Sequence, residues 1–107
     1  MLPQTDNERA IISLDGAVDL IKKHGHVKLV AGNREIGFCA LGAISRSAHE
    51  NVPTRKYHAG EVAQDALRVV IENGSISNWN DVPSRTKREV LKAMRQASKD
   101  LHVRIIS

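Results

Sequence analysis

The strongest constraint on the fold is a helical repeat of apolar residues near the start of the chain. Ala10, Ile11, Leu14, Ala17, Val18 and Ile21 return every three or four residues, which places them on one face of a helix. Thr5 followed by Glu8 is a capping-box pattern. Lys22, Lys23, His24 and Gly25 suit the negative end and the stop of that helix, so it is predicted over most of 8 to 24. The same period returns at Ala63, Ala66, Leu67 and Val70, broadened by Val62, Val69 and Ile71, and ends at Gly74. It returns once more at Val90, Leu91, Met94 and Leu101, after a second capping-box pair, Thr86 and Glu89. Three amphipathic helices must therefore share one apolar interior.

Between them the period is lost. In "HVKLVAGNREIGF" the centre "AGNR" reads as a turn between runs holding Val27, Leu29, Ile36 and Phe38, which predicts a hairpin. From Cys39, "CALGAISRSAHE" predicts a short helix whose Ala40, Gly42, Ala43 and Ser47 permit close backbone approach; Gly42 costs up to about 1 kcal/mol of helix propensity, which packing must offset. "NVPTRKYHAG" reads as a loop, and residues 75 to 85 read as a connector ahead of a last helix from about Lys87 to Leu101. The weakly alternating "LHVRIIS" reads as an edge strand beside the hairpin. The expected class is α+β, mostly helical, with about four helices on a small β-hairpin and a third, C-terminal edge strand.

With 107 residues, 41% of them apolar, the chain suits one compact domain over 1–107. The single Cys39 excludes an intramolecular disulfide framework, and the longest apolar run, "FCALGAI", falls far short of the ~20 residues of a membrane span. Neither a targeting nor a lipidation pattern opens the chain, so the expected location is the cytoplasm with no membrane partner. An apolar face left unfilled would also permit a homodimer.

The net charge of +4 is unevenly placed. Residues 1 to 83 hold nine Lys/Arg and ten Asp/Glu, whereas residues 84 to 107 hold seven and two. On the last helix Arg88, Lys92, Arg95 and Lys99 fall within about 60° of one another, beside the apolar sector. Such a stripe meets an acidic protein surface or neutralises phosphates; its plain alternative is a solvated face. The only aromatics, Phe38, Tyr57 and Trp79, lie in separate segments, so a base-stacking platform finds little support, and no zinc-finger set or RNA-binding motif is present.

Two further constellations carry chemistry on paper. Cys39 lies where a hairpin feeds a helix, and with His58 and either Asn80 or Asp81 it would make a thiol-hydrolase assembly; the plain alternative is a small buried apolar residue. In "SISNWNDVPSRT" the residues Trp79, Asn80, Asp81 and Arg85 form a polar motif around the one tryptophan, readable as a binding patch or as a capped, anchored helix entrance. No metal is expected, because His24, His26, His49, His58 and His102 are scattered and no carboxylate cluster joins them, and no cofactor motif is present.

"DLIKKHG", "FCALGAI" and "SISNWNDVPSRTKREVL" together resemble a family of short actinobacterial and actinophage proteins of unknown function. Its members pair a helix ending in His-Gly with a Cys-Ala-Leu-Gly-Ala segment and a Trp-Asn-Asp-x-Pro-x-Arg-Thr segment. The likeness spans most of residues 14 to 100 and falls on His24 and Gly25, Cys39 to Ala43, and Trp79 to Thr86. It implies a phage or phage-derived origin and, for so small a protein, binding of a host component. The sequence departs from the pattern at His26 and Val27, where many relatives have Trp then Cys, and at Ser84, which replaces glycine; a site needing that second cysteine is not expected here. The combined expectation is a non-enzymatic interaction protein using Arg88, Lys92, Arg95 and Lys99, with nucleic-acid binding by the same residues and a Cys39-dependent hydrolase as alternatives.

Overall fold

A computed structural model describes residues 4–72 and 74–106, with the side chain of residue 106 outside the description. The first helix, α1 (Asp6–His24), opens with the reciprocal capping box, Glu8 N–H donating to Thr5 Oγ1 at 3.1 Å and Thr5 N–H to Glu8 Oε1 at 2.9 Å. It ends at Gly25, whose φ of 103° no other residue type adopts readily. Its buried stripe is the one set by the apolar repeat, with Ala10, Leu14, Ala17 and Ile21 wholly inaccessible.

The hairpin is smaller than the sequence suggests and its turn lies further on. Strands β1 (Gly32–Asn33) and β2 (Gly37–Phe38) pair antiparallel, with Gly32 opposite Phe38 and Asn33 opposite Gly37. The turn therefore spans Arg34 to Ile36, closed by Asn33 Oδ1 accepting from Glu35 N–H (2.8 Å) and Ile36 N–H (3.0 Å). Glycines at φ 97° and 99° carry the turn, and apolar runs do not. The Val27 and Leu29 run is not a hairpin arm: His26 bridges Phe38 in parallel, with Val27 N–H donating to Phe38 O and Phe38 N–H to Gly25 O.

Helix α2 (Ala40–Asn51) follows, with Cys39 as its N-cap, and crosses α1 closely. Ser13 Oγ donates to Ile44 O at 3.0 Å and Ser47 Oγ to Ile12 O at 3.4 Å, and a Cβ on Gly16 would overlap Ser47 Oγ. Small residues thus let the two backbones meet. Helix α3 (Lys56–Val70) begins inside the segment read as a loop, because Arg55 takes the left-handed conformation (φ 54°) and turns the chain into it. The connector contains a fifth helix, α4 (Ile76–Asp81), capped by Ser75 Oγ on Asn78 N–H.

Helix α5 (Lys87–Ile106) absorbs the segment read as an edge strand, so no third strand joins the hairpin among the described residues. Val103 and Ile105 remain 51% and 41% exposed there, and backbone continuity of the helix outweighs a weak alternation in side chains. The architecture is mostly helical α+β, with α1 packed on α2, α3 and α5. One apolar cluster draws on all five helices and Phe38; a smaller one, Ala48, Val52 and Ala59, packs with Ile12. No helix among the described residues is long and apolar enough to cross a membrane.

Candidate functional site

The polar motif of α4 is turned inward. Asn80 is fully buried and uses every hydrogen-bonding position of its amide. Its Oδ1 accepts from Ala40 N–H at 2.9 Å and from His26 Nε2–H at 2.7 Å; its Nδ2 donates to Val27 O and to Asp81 Oδ1, both at 3.0 Å. One side chain thus ties α4 to the start of α2 and to the 26–29 segment. Asp81 Oδ1 also accepts from Leu29 N–H at 2.8 Å, and this bond, followed by that of Asn80, holds its carboxyl below the ordinary aspartate value. Lys28 Nζ donates to Pro83 O at 2.8 Å, closing the same junction from the surface.

Trp79 packs against the main core but stays partly exposed, so it anchors α4 with one face of its ring. Arg85 covers it, its guanidinium carbon 4.3 Å from the ring centroid, while Arg85 Nε donates to Trp79 O at 3.0 Å. Arg85 Nη1 also reaches Glu89 Oε2 at 3.2 Å, next to the Thr86–Glu89 capping box that opens α5. The Thr86 backbone N–H, ahead of its hydroxyl, lowers the Glu89 pKa. The motif from Trp79 to Glu89 is an internal brace that sets α4 and α5.

Cys39 and Asp81 do come to one place. Both line a cleft of about 770 Å³ beside α2, together with Leu29, Val30, Phe38, Leu41, Arg46 and His49. Cys39 is 7% exposed, and its Sγ accepts from Gly42 N–H at 3.2 Å in the role that Ser or Thr fills at other helix starts. His58 does not join them. It lies in the first turn of α3 with Nε2 3.2 Å from Asp6 Oδ2, in a cluster where Arg9 and Arg55 also meet Asp6. The Cys39–His58–Asp81 assembly is therefore not formed, and the histidine in the cleft is His49. Its signal in the sequence is the stripe Leu41, Ser45, His49 along one helix face, legible only once a strap is known to run beside it.

Arg88, Lys92, Arg95 and Lys99 are all exposed and line a shallow groove on α5 with Gln96. Among the described residues none of the four is in an ion pair: Glu89 is held by Thr86 and Arg85, and Asp100 accepts from Gln96 Nε2 at 2.7 Å. No group of three or more His, Cys, Asp or Glu gathers as a metal site among the described residues.

These features define a helical domain with an internally braced polar motif, an open cleft and a free cationic ridge. The chain belongs to DUF6197, a family of unknown function whose model matches residues 6–100. No curated protein and no solved structure matches it.

Proposed function

We propose that the protein is a non-enzymatic interaction module that docks on an acidic surface of a partner protein through Arg88, Lys92, Arg95 and Lys99. The observation that carries this reading is the row of four exposed cations with no carboxylate partner among the described residues, spread over about 16 Å of one helix. Ion pairs tie other arginines of the chain down: Arg34 grips Glu50, Arg68 grips Asp65 and Arg85 grips Glu89. The ridge keeps its charge for something outside the molecule. An actinobacterial or phage source, implied by the motif resemblance, would make that partner a host protein met in the cytoplasm.

The test is recovery of partners from host-type lysate by the wild type and by an Arg88→Glu/Lys92→Glu/Arg95→Glu variant, with and without nuclease. A protein recovered in both lysates by the wild type and lost with the variant supports the reading. Recovery that nuclease abolishes transfers the same residues to nucleic-acid binding, which the linear spacing of the four cations would serve. Equal recovery by the variant sinks both.

A further inference from the structure

The cleft beside α2 has a polarity of its own, independent of the ridge. Leu41, Gly42, Ser45, Arg46 and His49 follow one another along one face of α2, so the cleft extends over about 12 Å of helix. Its opposite wall is the strap 29–32, where Leu29 and Val30 stand 82% and 53% exposed. Leu29 adopts φ 72°, a left-handed conformation that leucine rarely takes. Three bonds hold the strap there: Leu29 N–H to Asp81, Cys39 N–H to Ala31 O, and Lys28 to Pro83 O. The fold thus fixes two bulky apolar side chains at the mouth of a cleft already floored by Phe38 and Leu41.

Charge separates along that length. At one end Asp81 is a carboxylate with one oxygen already committed to Leu29 and Asn80. At the other, Arg46 meets Glu50 only at 3.8 Å, whereas Arg34 holds the same carboxylate through bonds of 2.6 and 2.9 Å. Arg34 and Arg46 thus share one carboxylate, which leaves one positive charge in excess at that end, and His49 adds a ring nitrogen one turn on. We propose that the cleft binds a small amphipathic carboxylate of the medium-chain fatty-acid kind, its head group on Arg46 and His49 and its chain over Leu41, Phe38, Leu29 and Val30. The volume falls in the range of small-molecule sites, and Asp81 excludes the opposite orientation by repulsion.

Calorimetric titration with sodium decanoate, kept below its micelle concentration, tests this against decyltrimethylammonium of equal chain length. The expected result is saturable binding of decanoate, at least tenfold weaker binding in Arg46→Glu, loss in Ser45→Trp, which plugs the cleft from an exposed position, and no binding of the cation. The ridge variant should bind decanoate as the wild type does. Thermal melts accompany each variant; if Ser45→Trp fails to fold, Arg46→Glu, at an exposed residue, decides. No decanoate binding, equal uptake of both amphiphiles, unchanged affinity in Arg46→Glu, or a loss that follows the ridge variant instead would each overturn the proposal.

Discussion

His26 donates from Nε2 to the buried Oδ1 of Asn80 at 2.7 Å, across 54 positions of sequence. That bond fixes the imidazole tautomer and is one of four at the same amide. Asn80→Ala leaves Ala40 N–H and Val27 O without partners in the interior, and the expected cost is about 2–4 kcal/mol. Asn80→Asp fares no better, since it removes both donors and sets a second carboxylate against Asp81. Urea unfolding measures both; a loss under about 0.5 kcal/mol would show the hub to be dispensable.

Arg85→Ala removes a stacked guanidinium, a bond to Trp79 O and a bond to Glu89, for an expected loss of about 1–2 kcal/mol. Trp79 is the only tryptophan, so its emission reports this brace alone. The spectrum should shift to the red in the native variant as water reaches the uncovered ring face, and Arg85→Lys, lacking the planar fork, should restore little of it.

Two glycines in helices should respond with opposite signs. A Cβ at Gly42 would overlap the Ala31 carbonyl, so Gly42→Ala is expected to cost about 1–3 kcal/mol although it gains helix propensity. Gly60 in α3 has only Ala48 Cβ at 3.7 Å, an ordinary contact, and Gly60→Ala should stabilise by about 0.5–1 kcal/mol. Matched thermal melts read both.

Acid should weaken the fold through named carboxylates. Asp6 (beside Arg9), Glu50 (beside Arg34), Asp81 and Glu89 all lie below their ordinary values of 3.8 for Asp and 4.5 for Glu. Because the folded values are the lower ones, their contribution is complete above the unfolded values and disappears as the pH falls through the folded ones. Stability measured by urea midpoint should therefore hold from pH 7 to about 5 and fall below about 4. Asp81→Asn, which keeps an acceptor for Leu29 N–H, should flatten part of that fall.

Charge reversal along the ridge should leave the fold alone. Arg88, Lys92 and Arg95 make no ion pair among the described residues, so each substitution by Glu should move stability by no more than about 0.5 kcal/mol. Arg88→Glu falls in the first turn of α5, where a negative charge suits the helix dipole. A large drop in the melting temperature would mean that the ridge packs inside the molecule.

What sequence reasoning reaches follows from how local each signal is. The capping boxes of Thr5 and Thr86 act over three residues: α5 starts at the predicted Lys87, and α1 starts at Asp6, directly after its capping threonine and two residues ahead of the predicted 8. The small residues of α2 meet α1 and the Ala31 carbonyl as expected, because side-chain size is legible without knowing the partner. The start of α3 is marked only by a left-handed Arg55 with no side-chain cap, which leaves no trace in residue type. Helix α4 is six residues long and mixed in polarity, too short for a period to show. The cleft arises because Asn80 and Asp81, some fifty positions downstream, hold the 27–32 strap beside α2; Asp81 joins Cys39 and His49 there for that non-local reason, while His58 turns to Asp6.

Helix α1 packs against α2, α3 and α5, yet its third neighbour begins more than sixty residues downstream. On the ribosome α1 emerges with its stripe of Leu14, Val18 and Ile21 and must wait for α5 before Val90, Met94 and Leu101 complete the interior. The interior around α1 thus stays open until α5 has been made, and a chain interrupted after α4 would present an uncovered apolar helix to chaperones and proteases.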